Sequence, residues 1–133
     1  MKDPPLYHCL LLCRDVTRSQ STQSDTLHHV ITELWLPVIP TEVPNTILYA
    51  RLSNVHEGAE DLQVVFEHET GLKIFEISVP PPEIPDPMEV FTLSIRLPPL
   101  PIRRDGRYTF TVYHDDELLV TAPVFVECLP GEE

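Results

Sequence analysis

A chain of 133 residues is the size of one ordinary domain, and 42% hydrophobic with 23% charged residues suffices for a core without metals or disulfide staples. Nine Lys+Arg against 21 Asp+Glu give a net charge of −12, which disfavours nucleic acid and anionic membrane surfaces and makes any charged partner a basic one. Fifteen prolines spread along the chain break helix interiors and remove backbone donors, which argues against a helical bundle and for short strands joined by punctuated loops.

Leu6 to Val16 reads as the first strand. Leu10-Leu11-Leu12 between Cys9 and Cys13 makes it almost continuously apolar, so both of its faces are expected to be covered. The same run is too short to span a bilayer or to serve as a signal-peptide core, and Asp3 with Pro4-Pro5 interrupts such a signal. A cytoplasmic location is the expectation. Arg18 to Ser24 is polar and expected to be a mobile loop. Over Ser24 to Leu36 two readings compete. Leu27, Val30, Ile31, Leu34 and Trp35 fit an amphipathic helix capped by Ser24 or Asp25, whereas Thr26, Val30, Ile31 and Thr32 favour a strand. The strand is preferred, because a lone helix over 25–36 has no place in an otherwise β chain. Pro37 and Pro40 end either element.

Alternation of period two is clear further on. Leu48, Ala50 and Leu52 alternate with Tyr49, Arg51 and Ser53; Leu62, Val64 and Phe66 alternate with Gln63 and Glu67; Phe75, Ile77 and Val79 alternate with Glu76 and Ser78. Gly71 supplies the positive φ expected of the turn after Glu69-Thr70. Pro80 to Pro87 should be an extended, polyproline-like bridge between strands of different sheets. Phe91 to Leu97 is a strand with one buried and one wet face, and Pro98-Pro99-Leu100-Pro101 a second corner. Tyr108, Phe110 and Val112 point one way on the next strand, Asp115-Asp116 marks a tight turn, and Leu118 to Val126 returns as its partner.

The sum is an all-β chain of about 7–8 antiparallel strands, an immunoglobulin-like Greek-key sandwich forming one domain over residues 1–133. Asp105-Gly106-Arg107-Tyr108 resembles a tyrosine corner, in which the phenol hydroxyl bonds back to the preceding connection. Leu10-Leu11-Leu12-Cys13-Arg14-Asp15-Val16 resembles the opening of a family of small bacterial proteins classed as a domain of unknown function. Gly106-Arg107-Tyr108-Thr109-Phe110, Asp116-Glu117-Leu118-Leu119 and Val124-Phe125-Val126 are similar to that family's end, with matching spacing. The resemblance implies a bacterial origin and an immunoglobulin-like sandwich, and it brings no activity, cofactor or catalytic residue with it.

The chain carries no Gly-x-Ser-x-Gly elbow, and its glycines (Gly58, Gly71, Gly106 and Gly131) are isolated, so no phosphate-binding loop exists. Neighbouring histidines His28 and His29 face opposite ways on a strand, and His68 lies between Glu67 and Glu69. A metal site could be built only across strands, from His8, His28 or His114, and solvated or core histidines are the simpler reading. Cys13 could act as a thiol nucleophile, but a buried structural thiol is preferred. On one strand Cys9 and Cys13 would lie about 13 Å apart, too far for a bridge, and pairing of either with Cys128 is left open. Glu57, Glu60 and Asp61 in one loop, and Asp115, Asp116 and Glu117 in another, offer oxygen ligands for calcium, although acidic residues populate loops simply because loops are wet. Trp35 and Tyr49 could form a sugar-stacking platform; more simply, Trp35 is a core residue and Tyr49 a half-exposed strand residue.

No catalytic, cofactor-binding or metal-binding residue is assigned. The leading expectation is a non-catalytic module that binds a protein or peptide, or pairs with its own copy through edge strands into a homodimer. The alternatives are a carbohydrate- or calcium-binding module and a metal- or thiol-dependent hydrolase.

Overall fold

A computed structural model describes residues 6–22, 24–53, 61–80, 91–114 and 116–129, with no helix among them. The strands are β1 (Leu6–Cys13), β2 (Asp15–Arg18), β3 (Asp25–His28), β4 (Glu33–Leu36), β5 (Thr41–Val43), β6 (Ile47–Ser53), β7 (Leu62–His68), β8 (Lys73–Val79), β9 (Phe91–Arg96), β10 (Leu100–Ile102), β11 (Gly106–His114) and β12 (Glu117–Cys128). A three-stranded sheet, β1-β6-β9, faces a five-stranded sheet, β4-β12-β11-β7-β8. Every pairing is antiparallel except β4 with β12, which is parallel. The chain crosses between the layers from β6 to β7 and from β8 to β9, which is the logic of an immunoglobulin-like sandwich.

Period-two burial builds the interior. Leu10 and Leu12 of β1, and Leu48, Ala50 and Leu52 of β6, meet Leu62, Val64 and Phe66 of β7 and Tyr108, Phe110 and Val124 of the facing sheet in one core. Phe66 stacks on Phe110 at 4.5 Å and on Tyr108 at 5.2 Å between ring centroids. Tyr108 donates its hydroxyl to the Arg104 carbonyl at 2.7 Å, the tyrosine-corner bond expected from Asp105-Gly106-Arg107-Tyr108. In antibody domains a cysteine follows that tyrosine by two residues. Here Phe110 holds the position, fully buried, and ring packing fills the space between the sheets.

The strand reading of 25–36 holds, and the helix alternative does not. The segment is two strands split by His29, whose φ is 55°. The first strand likewise breaks at Arg14 into β1 and β2. Where a mobile loop was expected, Ser19 N–H bonds the Ser24 carbonyl at 2.8 Å and closes a β2–β3 hairpin. Its turn is further held by the Ser19–Ser21 and Thr22–Ser24 hydroxyl pairs, at 3.1 and 2.6 Å. The corner at Pro98–Pro101 also forms a short strand, β10, paired with β5. The Pro80–Pro87 bridge lies almost wholly outside the described residues, but the strands it joins, β8 and β9, do belong to different sheets.

Candidate functional site

Two surfaces of the sandwich differ sharply. The outer face of the three-stranded sheet is roofed by the β2–β3 hairpin, which packs Val16 and Leu27 over Cys13, Ile47 and Tyr49. This explains the apolar run at Leu10-Leu11-Leu12: Leu10 and Leu12 enter the main core, while Cys9 and Cys13 sit beneath the hairpin. Under its rim, Tyr49 donates to Asp25 Oδ2 at 2.7 Å. Arg51 Nε donates to the Tyr49 hydroxyl at 2.7 Å, and its terminal nitrogen reaches Asp25 Oδ2 at 3.1 Å. The Asp25 side chain is only 5% exposed and that of Arg51 41%, so the network is a part-buried clasp tying the hairpin to β6. The Tyr49 hydroxyl, helped by the Arg51 and Arg18 charges and opposed by burial, holds the Asp25 carboxyl below its ordinary value.

The outer face of the five-stranded sheet has no such roof among the described residues at β4. Leu34 points inward, so alternation sends Glu33 and Trp35 outward. Phe125 and Glu127 of β12 lie beside them, and the four line a cleft of about 310 Å³. Trp35 is 56% exposed and Phe125 50%. The indole N–H reaches Glu33 Oε2 at 3.3 Å. Arg107 is paired opposite Phe125 on β11 but does not line the cleft. Strand β4 pairs only with β12 among the described residues, so its other edge is open.

The expected places of Trp35 and Tyr49 are therefore exchanged. Tyr49 is 3% exposed because the hairpin covers it, and Trp35 is on the surface because its inward neighbours are Leu34 and Leu36. The two aromatics belong to different sheets and make no joint platform. Phe125, missed at the sequence level, is the actual neighbour of Trp35; the alternation Val124-Phe125-Val126 already placed it on the outer face.

The remaining candidates scatter. Cys9, Cys13 and Cys128 are all unbridged. Cys13 is fully buried, its thiol 3.6 Å from the Ile47 carbonyl, and burial raises its pKa. His28 Nε2 bonds the Thr17 hydroxyl at 2.9 Å, His29 is exposed at the chain turn, and buried His68 is bonded at both ring nitrogens. His114 Nε2 is buried without a partner among the described residues. The His8 side chain, Glu57, Glu60 and Asp115 lie outside the described residues, and Asp61, Asp116 and Glu117 are exposed. Among the described residues no three His, Cys, Asp or Glu groups come together as metal ligands.

Residues 8–127 match the model of a family described as "Family of unknown function (DUF6941)". The crystal structure of an immunoglobulin-like protein from Pseudomonas aeruginosa is similar at 18% identity and a TM-score of 0.41, over 95% of this chain and 94% of that one. No curated protein matches.

Proposed function

The chain belongs to the family of unknown function DUF6941, and on that footing we propose that it is a non-catalytic recognition module that takes an extended, basic segment of a partner protein along β4. The observation that carries this reading is the exposed Trp35–Phe125 pair, flanked by Glu33 and Glu127, on a strand with one open edge. Large aromatics are the usual anchors of protein interfaces, and an open edge offers main-chain hydrogen bonds to an incoming strand. Exposed rings beside carboxylates suit Lys or Arg side chains, by cation–π contact and ion pairing together. A second copy fits less well: each copy carries −12, and a self-pairing edge would set Glu33 and Glu127 near their own counterparts. Against a thiol hydrolase stands Cys13, which is buried with a raised pKa rather than exposed and activated.

Trp35 is the single tryptophan, so its fluorescence reports on this face directly. An Arg-Val-Thr repeat peptide is expected to change that fluorescence saturably, with weaker binding in high salt and in Phe125→Ala or Glu33→Gln/Glu127→Gln proteins. A Glu-Val-Thr repeat that binds as well, or no saturable response to the basic peptide, would overturn the reading. Light scattering that shows a dimer lost in Trp35→Ala would assign the face to a second copy instead.

A further inference from the structure

At the end of the sandwich where β7 turns into β8, a cleft of about 240 Å³ opens between that turn and the β10–β11 connection. Its lining is unusual for this chain. Three of the nine Lys and Arg residues, Lys73, Arg103 and Arg104, face it, and among the described residues no Asp or Glu lines it. Leu72, Ile74 and Pro101 form its apolar side. Lys73 is already paired with Glu76 at 3.0 Å, whereas Arg103 and Arg104 have no ion pair or side-chain hydrogen bond among the described residues.

The floor of the cleft does not compete for a ligand. His68 Nε2 lies 2.9 Å from the Asp105 carbonyl, which can only accept, so that nitrogen carries the proton. The opposite nitrogen accepts the Thr70 N–H at 3.2 Å. The Tyr108 hydroxyl is spent on the Arg104 carbonyl. With the floor satisfied, the two guanidinium groups are the polar groups left to meet a ligand. They are presented by a connection braced at Arg104 and Asp105 from beneath, which lowers the ordering cost of binding. Among neighbouring carboxylates, Glu76 holds Lys73, Glu69 takes the Arg107 N–H at 3.4 Å, and Glu42 lines a second cleft that Arg103 also borders.

We propose that this cleft is an anion site for a carboxylate carried on a short apolar body. Two arginines lining one cleft match a carboxylate, and Leu72, Ile74 and Pro101 match an apolar stem. The volume is below the ~300 Å³ at which drug-sized pockets begin, so the ligand is about one residue in size. It is a free organic acid or the last residue of a polypeptide. The site shares no lining residue with the β4 face and stands or falls without it.

The test is an amide-resolved NMR titration of the whole protein with N-acetyl-leucine, N-acetyl-leucinamide, inorganic phosphate, and a short peptide ending in leucine as acid or amide. The acids are expected to shift Lys73, Ile74, Arg104 and Tyr108, and to bind at least tenfold more weakly to the Arg103→Gln/Arg104→Gln protein. That variant leaves the main-chain bond to Tyr108 intact. A peptide acid tighter than N-acetyl-leucine makes the ligand a polypeptide terminus; equal affinities make it a free acid. Equal binding of acid and amide, phosphate binding as tightly as the acids, undiminished binding by the double variant, or no shifts at these residues would each overturn the proposal.

Discussion

The phenol of Tyr108, 1% exposed in the core, ends on the main-chain carbonyl of Arg104 four residues upstream, at 2.7 Å. One side chain thus connects three things: the core face of the five-stranded sheet, the turn into β11, and the pair of arginines at the sandwich mouth.

Removing that hydroxyl in Tyr108→Phe is expected to cost about 0.5–1.5 kcal/mol, since the exposed Arg104 can return its carbonyl to water. Tyr49→Phe should cost more, about 1.5–3 kcal/mol, because it strips a nearly dry carboxylate of a donor and Arg51 of an acceptor. Urea unfolding of the two variants gives the order; the reverse order contradicts the clasp.

Gly106 and Gly71 both have positive φ, at 121° and 90°, yet they should respond differently to alanine. A Cβ at Gly106 would stand 2.8 Å from His68 Nε2 and 2.9 Å from Glu69 Oε1, whereas one at Gly71 meets nothing within 4 Å. Gly71→Ala should therefore cost about 1 kcal/mol of backbone strain alone, and Gly106→Ala clearly more, by displacing His68 from the Asp105 carbonyl. Thermal melts of both proteins check the difference.

Stability should depend on pH through Asp25. Its carboxyl titrates below the ordinary 3.8 in the folded chain, chiefly because Tyr49 bonds the ionised form. A lowered folded pKa adds stability above the unfolded value, and this is lost as pH falls through the folded one. Asp25→Asn should thus be less stable than the parent at pH 7, with the gap narrowing as pH is taken below 3.8. A gap that is the same at pH 7 and pH 3 would show that Asp25 does not carry this effect.

Thiol modification should separate the cysteines. Exposed Cys128 should react with a maleimide under native conditions, while Cys13, with no exposed surface and a raised pKa, should react only on unfolding. Mass spectrometry of the modified protein reads both rates.

Much of the sandwich was legible because apolar and polar residue types alternate along β6, β7, β9, β11 and β12, although burial itself follows that alternation cleanly only in β12, and in β6 the covered outer face is buried too. The corner at Tyr108 was legible as well, since Gly106 and the aromatic spacing mark it locally. The exchange of Trp35 and Tyr49 was not. It depends on a break at His29 and on a hairpin folding back across β6, both tertiary events with no signature in residue type. The Lys73, Arg103 and Arg104 cleft was also hidden, because its cations come from segments some thirty residues apart that meet only when β7 and β11 pair. Short β5 and β10 escaped because three residues carry too little periodicity to read.

Docking of a basic segment along β4 leaves its mark in hydrogen exchange at the open edge. With the Arg-Val-Thr peptide bound, the amides of Glu33 to Leu36 that do not bond β12 should become protected, while the opposite edge strand, β8, keeps its free-state exchange rates. Unchanged exchange along β4 at saturating peptide, or protection that falls on β8 instead, would contradict it.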